Sequence, residues 1–242
     1  MVSPLVDQKT FPHFIEMKTV FCCPYPPPEN GWENKDEMCA EEIADAAANE
    51  SGPPKKSEIA NPGRYLYIEM EFANEGDAEE LIKRQPDELL PADVARALLF
   101  QIAIALYVAA VEFAVNHYDV KLLNIFIHRE DENYHNLVLR YKLGSHVYAL
   151  HMPPRHVFVA KLADFGTANA FTASNDVPVP VTAAQFTTLE NTPPDYMILG
   201  DNATQGHGHD SFGLGLCMLH LFTGFRPYEE ILKKVKCPRD LN

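Results

Sequence analysis

The sequence predicts an α+β fold, with a β-rich beginning and a longer, mainly helical remainder. Residues 64–72 have the β-branched and aromatic side chains of a strand. Residues 97–115 are apolar around almost the whole helical circumference, and residues 210–223 form a second apolar helical run, for which Asp210 suits the N-cap. Strand patterns dominate the beginning of the chain and helical patterns dominate the remainder, which is typical of the α+β class.

A segment of different composition, residues 24–62, precedes the strand at 64–72. It carries Pro-Pro-Pro and Gly-Pro-Pro runs, many acids and an alanine-rich patch. We therefore expect a solvated loop there, with a marginal helix at 34–50. After the strand, a Gly76-Asp77 turn leads into a short predicted helix at 78–83.

The apolar helix predicted at 97–115 approaches the length of a membrane span. Gln101 and Glu112 interrupt it, and polar or acidic residues flank both ends. A helix that is apolar on all sides is also what the centre of a large globular domain requires, and Pro91-Ala92-Asp93 supplies a start for it. We therefore expect a buried helix and no membrane segment.

Composition narrows the classes of partner and compartment. The chain has 242 residues, 46% of them apolar, and a net charge of −14. This charge argues against nucleic acid or an anionic membrane as the main partner. Five cysteines without a C-x-x-C spacing are typical of reduced thiols, and the Met-Val-Ser-Pro start does not resemble a signal peptide. We expect an intracellular, cytoplasmic protein.

The chemistry is concentrated in residues 117–124, His-Tyr-Asp-Val-Lys-Leu-Leu-Asn, and in the later triplet Asp164-Phe165-Gly166. Together they offer a carboxylate base, a cation and oxygen ligands for Mg²⁺. Phosphoryl transfer from a nucleotide needs this set, because it is catalysed mainly by positioning and charge stabilisation. The two motifs resemble the catalytic loop and the metal-binding loop of eukaryotic-type protein kinases.

This resemblance assigns a role to each matching residue. It implies that Asp119 is the base, that Lys121 steadies the transferred phosphoryl group, and that Asn124 and Asp164 bind Mg²⁺. A lysine two positions after the aspartate resembles the pattern of the serine/threonine-directed branch of the family. That branch has a threonine that contacts the base, and the matching residue here would be Thr188. The implied cofactors are ATP and Mg²⁺, and the implied acceptor is a protein hydroxyl.

The same resemblance assigns four residues to the adenine of ATP. The strand at 64–72 resembles the strand that leads into the kinase hinge, so Met70 would guard the pocket. The backbone of Glu71 and Ala73 would form hydrogen bonds to the adenine. Phe126 would form the floor of the pocket.

Further segments after the metal-binding loop also match the family. Residues 164–195 resemble the activation segment, closed by Thr192-Pro193-Pro194-Asp195-Tyr196 in place of Ala-Pro-Glu, and Asp210 resembles the helix aspartate that holds the catalytic-loop backbone. Tyr118 stands where the family has an arginine that reads a phosphate on this segment. We expect that phosphorylation of the hydroxyl groups in this segment does not switch the protein on by the usual route, and a large gain in a phosphotransfer assay with phosphate on Thr187 would contradict this.

An insertion separates the two motifs. Asp119 and Asp164 are 45 positions apart, whereas kinases usually separate these aspartates by about 18. Within an inserted region at about 131–156, apolar and polar residues alternate around Gly144-Ser145, which predicts a β-hairpin. The hairpin could dock a protein partner or could be a tolerated surface insertion.

Several parts of the family fold have no counterpart in the sequence. Residues 11–15 resemble the segment after helix C and residues 18–22 resemble strand four, but no glycine-rich loop or lysine-bearing strand is matched, and neither are the final helices. The resemblance therefore implies a protein-kinase-like fold that is mostly the helical C-lobe, residues 73–242, with a truncated β N-lobe, residues 1–72. The incomplete C-lobe face is a second place where a protein partner could dock.

Two histidine motifs have alternative interpretations. His207-Gly208-His209-Asp210 offers metal ligands, but its glycines and the lack of a second cluster favour a polar loop before a helix. We interpret His117 as a structural residue of the catalytic loop, since Asp119 already supplies a base.

Three functions remain open at this point. The first is an ATP- and Mg²⁺-dependent serine/threonine protein kinase, the second a pseudokinase that acts as a scaffold, and the third a truncated, inactive kinase fragment. The presence of all four residues of the site favours the first: Asp119, Lys121, Asn124 and Asp164. The unmatched glycine-rich loop and strand lysine favour the others, because an unanchored triphosphate loses alignment.

Overall fold

The computed structural model describes residues 11–23, 65–129, 137–153, 156–170, 191–199, 202 and 206–226. The chain forms two compact units: a smaller one of Met17–Glu71, and a larger one that combines Met1–Glu16 with Phe72–Asn242. The predicted loop at 24–62, with its marginal helix, lies outside the described residues.

The smaller unit contains an antiparallel pair of strands. Strand β1 (Met17–Cys23) pairs with β2 (Tyr65–Met70). The ring of Phe21 stacks on the ring of Tyr67 with centroids 5.2 Å apart, as expected for an aromatic pair on neighbouring strands. The two strands predicted at 18–22 and 64–72 are confirmed, with their ends shifted by one or two residues.

The larger unit has four α-helices among its described residues. They are α1 (Ala78–Lys83), α2 (Ala92–Phe113), α3 (Pro194–Leu199) and α4 (Gly208–Thr223). Asp77 caps α1, because its Oδ1 accepts the backbone N–H of Glu80 at 2.8 Å. The combination of these helices with paired strands confirms the α+β class.

Helix α2 is the centre of the core. By length and composition it is the one helix in the described part of the chain that could cross a membrane. Its side chains Leu98, Ile102 and Ala105 are nevertheless buried inside the protein. Gln101, which interrupts the apolar run, is also buried, and its Oε1 accepts the N–H of Ala160 at 2.8 Å. The packing of α2 therefore agrees with the predicted buried helix.

The outward faces of α2 and α4 leave apolar side chains exposed. Tyr107 and Val111 are exposed on α2, and Met218 and Phe222 are exposed on α4. A protein partner on this face stays a prediction.

Among the described residues of the larger unit, six strands pair two by two. The pairs are β3 (Val115–Asn116) with β8 (Asn169–Ala170), β4 (Ile125–Arg129) with β7 (Phe158–Leu162), and β5 (Val138–Leu143) with β6 (His146–His151). The β5–β6 hairpin turns at Gly144, whose φ of 59° suits a residue without a side chain. The predicted hairpin between the two motifs is therefore present.

Residues 11–16 belong to the larger unit, whereas the sequence placed them with the N-lobe strands of residues 1–72. The reason is that this segment packs into the larger core. Phe14 is completely buried and forms a bridge with Leu162 of β7. His13 donates from Nδ1 to the carbonyl of Ala160 at 2.7 Å, which leaves Nε2 to accept the hydroxyl of Tyr141 at 2.7 Å. The inserted hairpin is thus anchored to the core through a neutral histidine.

Burial of His13 makes stability depend on pH. Burial lowers the pKa of His13 to about 4, and the charge of Lys161 makes a smaller contribution in the same direction. The hydrogen bond to the carbonyl of Ala160 has the opposite effect and raises the pKa. The unfolded chain, with an ordinary histidine pKa, takes up a proton first as pH falls, so stability is lost between about pH 6.5 and pH 4. We expect a loss of about 2 kcal/mol between pH 7 and pH 5.

Urea unfolding at both pH values, with His13→Gln for comparison, measures this contribution. Burial also lowers the pKa of His209, so the wild type retains a second source of pH dependence that the variant shares. The difference between the two pH dependences isolates His13. Parallel curves for the two proteins would contradict the prediction.

Candidate active site

The backbone of the catalytic loop is hydrogen-bonded to the side chain of Asp210 in α4. Its Oδ2 accepts the backbone N–H of His117 at 2.7 Å, and its Oδ1 accepts that of Tyr118 at 2.8 Å. Tyr118 has a φ of 64°, which is unfavourable for a bulky residue, so the carboxylate stabilises a strained backbone. The role that the resemblance assigns to Asp210 is confirmed.

The predicted N-cap position of Asp210 is wrong. Helix α4 begins at Gly208 and is preceded by His207, so Asp210 lies inside the first turn. Its carboxylate does not bond to its own helix terminus, because both oxygens are used by the loop 93 and 92 residues earlier. An acidic residue is favourable both at the N-cap and in the first turn, where it interacts with the helix dipole. The local sequence pattern alone therefore does not show which of these two positions Asp210 occupies.

Gly213 lets α4 approach the catalytic loop closely. A Cβ built on Gly213 would lie 2.8 Å from the backbone oxygen of Val120 and 2.9 Å from its Cβ. One turn later, Cys217 is buried and its Sγ lies 4.0 Å from the same oxygen. The residue after the predicted base is therefore in direct contact with α4.

Gly213→Ala should destabilise the protein by about 1–3 kcal/mol, because the added methyl group meets backbone that has no rotamer with which to move aside. Gly215→Ala is the matched control: nothing lies within 4 Å of its added Cβ, and alanine in an exposed helix should stabilise by up to about 1 kcal/mol. Denaturant unfolding of both variants measures the effects. Equal stabilisation by both would show that the approach at Val120 is not tight.

His117 connects the two motifs through its ring. Its Nε2 donates to the carbonyl of Ala163 at 2.8 Å, so its Nδ1 is the acceptor for the N–H of Asp119 at 3.2 Å. The ring of Phe165 packs edge-on against it with centroids 5.0 Å apart, and Phe165 also contacts Phe14. Both ring nitrogens are engaged, which agrees with a structural role for His117.

Asp119, Lys121 and Asn124 meet at one carboxylate oxygen. The Nζ of Lys121 lies 2.8 Å from Oδ2 of Asp119, and Nδ2 of Asn124 donates to the same oxygen at 2.9 Å. Nδ2 of Asn124 also donates to the backbone oxygen of Asp119 at 2.9 Å. The side chain of Asp119 is 5% exposed and that of Lys121 is 24% exposed, so the carboxylate is fixed in place while the ammonium group reaches the surface.

Asp164 follows a residue whose backbone is hydrogen-bonded to Asn124. The N–H of Ala163 donates to the carbonyl of Asn124 at 3.0 Å, which ties the start of β4 to the end of β7. Asp164 is exposed, has a φ of 57°, and accepts the N–H of Gly166 on Oδ1 at 3.3 Å. The paired strands β4 and β7 therefore bring the two predicted Mg²⁺ ligands, Asn124 and Asp164, to the same end of this strand pair.

The side chains of Asn124 and Asp164 suit Mg²⁺. Both N–H bonds of the Asn124 amide are directed to Asp119, so the amide oxygen is the group left to face a ligand. Amide and carboxylate oxygens are hard ligands, and Mg²⁺ in nucleotide sites takes one or two of them with phosphate and water. Within the described ranges no group of three or more His, Cys, Asp or Glu side chains could hold a metal ion.

The His207-Gly208-His209-Asp210 motif does not converge on a metal. His207 donates from Nδ1 to the amide oxygen of Asn116 at 2.6 Å. The two carboxylate oxygens of Asp210 accept backbone N–H groups of the catalytic loop. His209 is buried, and its two ring nitrogens have no hydrogen-bond partner among the residues that the structure describes. The segment is a helix start and not the predicted polar loop.

An aromatic cluster replaces the arginine of the family at position 118, and the sequence did not predict it. The ring of His209 lies edge-on to Tyr118 and Tyr196, with centroids 5.2 and 5.3 Å apart. All three side chains are buried, and burial raises the pKa of Tyr118 and lowers that of His209. The cluster joins the catalytic loop to α3 and α4 without a charged group.

The remaining predicted residues are placed as follows. Met70 ends β2, and Glu71 follows it in the smaller unit, whereas Ala73 and Phe126 belong to the larger unit. Phe126 pairs with Lys161 across β4 and β7. The adenine roles of these residues stay predictions, and Thr188 lies outside the described residues.

Comparison with known families identifies the class of protein. The family model of the protein kinase domain matches residues 55–240. Among curated proteins, none matches the sequence. Since the match covers well over half of the chain, the chain belongs to the protein kinase family, whose members are phosphotransferases.

Proposed function

We propose that this protein is a serine/threonine kinase that transfers the γ-phosphate of ATP to a hydroxyl group of a protein substrate. The observation that carries the proposal is the convergence of Lys121 and Asn124 on one oxygen of Asp119. This arrangement supports Asp119 as a base, with Lys121 as the cation and Asn124 as the metal ligand beside it. Membership of the protein kinase family supports the same class of reaction.

Each residue has a defined part in the proposed reaction. The carboxylate of Asp119 takes the proton of the substrate hydroxyl as its oxygen attacks the γ-phosphorus, and ADP leaves. Lys121, whose ammonium group is partly exposed, shifts from Asp119 towards the transferred phosphoryl oxygens. Mg²⁺, held by Asn124 and Asp164 when bound, neutralises phosphate charge.

The substrate-binding assignments complete the proposal. The adenine roles that the resemblance assigns to Met70, Glu71, Ala73 and Phe126 stay predictions, and Thr188 would contact Asp119 from the activation segment. Specificity for serine and threonine is supported by the lysine two positions after the base. An intracellular, cytoplasmic location is supported by the odd number of cysteines, five, without a C-x-x-C spacing, which is typical of reduced thiols.

The alignment of ATP is the weakest part of the reaction chemistry, because the sequence matches no glycine-rich loop and no strand lysine. The test therefore starts with binding. Calorimetric titration with ATP, with and without Mg²⁺, is followed by transfer of labelled γ-phosphate to a generic basic protein. We expect Mg²⁺-dependent transfer to serine or threonine that is abolished by EDTA. A folded sample that binds no ATP would favour a pseudokinase or an inactive fragment.

A further inference from the structure

The outer face of the β5–β6 hairpin is basic and exposed. In an antiparallel pair, residues that oppose each other lie on the same face, and the register places Arg140 opposite Ala149 and Lys142 opposite Val147. The alternate residues of β5, including Tyr141, pack into the core. The outer face therefore consists of six exposed side chains: Val138, Arg140, Lys142, Val147, Ala149 and His151.

The charge of this face is opposite to that of the chain. Residues 137–163 contain no aspartate or glutamate, although the whole chain has a net charge of −14. In the part of the chain that the structure describes, no ion pair involves Arg140 or Lys142. Their charges are thus left to interact with a group from outside those residues.

We propose that the outer face of the hairpin binds an acidic, extended segment of a partner protein. Arg140 and Lys142 are two residues apart on one strand, about 7 Å along its axis. An extended peptide with acids at alternate positions repeats at the same distance, so two carboxylates reach the two cations at once. Val138 and Val147 flank the cations and provide contacts for aliphatic residues of that peptide.

A protein segment fits this face better than nucleic acid does. Two strand cations over a face six residues long neutralise few phosphates, and the net charge of −14 opposes the approach of a dense polyanion. A peptide with two or three acids meets less repulsion and has side chains that contact the valines. The binding does not depend on phosphoryl transfer, so it is measured independently of catalysis.

Fluorescence anisotropy with a labelled peptide of alternating glutamate and valine tests the proposal on the full chain. Arg140→Gln/Lys142→Gln should weaken binding about fivefold, because it removes two exposed ion pairs. Lys18→Gln/Arg96→Gln is the matched control: it removes two exposed cations outside the hairpin and should leave binding unchanged. Added salt should weaken binding by the wild type more than binding by the hairpin variant.

Four outcomes would overturn the proposal. They are no binding of the peptide, equal loss in both variants, tighter binding of a single-stranded oligonucleotide that the hairpin variant loses, and unchanged binding by the hairpin variant. Thermal unfolding should be the same for all three proteins, because the substituted side chains are exposed. A fivefold loss confined to the hairpin variant supports the proposal.

Discussion

Replacing Asp119 by asparagine should lower the rate of phosphoryl transfer by about 10²–10⁴-fold, because it removes the carboxylate that we propose as the base beside Lys121. Asparagine has the shape of aspartate, and its carbonyl oxygen still accepts the amide of Asn124. The structure of the loop should therefore persist while the base is lost. We expect the loss in kcat and little change in the affinity for ATP, measured by turnover kinetics and calorimetry.

Asp87→Asn is the control for this substitution. Asp87 is exposed, lies away from the catalytic loop in sequence, and has a φ of 58°, a conformation that asparagine tolerates. The variant makes the same change of charge and should retain full activity. If Asp119→Asn retained activity comparable to that of Asp87→Asn, Asp119 would not be the base.

Asp210→Ala should lower the free energy of unfolding by about 2–5 kcal/mol. The substitution leaves the N–H groups of His117 and Tyr118 buried without an acceptor, and each such loss costs about 1–3 kcal/mol. The left-handed backbone at Tyr118 also loses the contact that stabilises it. Urea unfolding measures the change, and Asp210→Asn, which keeps one acceptor, should fall between the wild type and Asp210→Ala.

Asp93→Ala separates this effect from helix electrostatics. Asp93 lies in the first turn of α2 as Asp210 lies in the first turn of α4, so both variants remove an acid near a helix N-terminus. Asp93 is exposed, and its loss should cost about 0.3–1 kcal/mol. A cost for Asp210→Ala no greater than that of Asp93→Ala would mean that the two backbone hydrogen bonds contribute nothing.

Local patterns predicted the elements of this fold well. Alternation around Gly144 located the β5–β6 hairpin, and the Pro91-Ala92-Asp93 signal located the start of α2 at Ala92. These features depend on residues close in sequence, where side-chain period and turn preference determine structure directly. The conjunction of Asp119, Lys121 and Asn124 was also predictable, since all three lie within six residues.

Contacts over long sequence distances were not predictable in this way. His13 and Tyr141 are 128 positions apart, and neither residue carries a pattern that identifies the other. The close approach at Gly213 similarly depends on the path of the catalytic loop at Val120. The resemblance to kinases predicted the hold of Asp210 on the loop, but nothing in the sequence predicted the aromatic cluster of Tyr118, His209 and Tyr196.

The hold of Asp210 on the catalytic loop bears on how this loop can evolve. The carboxylate bonds to peptide N–H groups, which every residue except proline has, and not to the side chains of His117 and Tyr118. Selection can therefore exchange the side chain at position 118 while the anchoring of the loop before Asp119 is inherited unchanged. A lineage that gave up phosphate control at this position would not have had to rebuild its catalytic site.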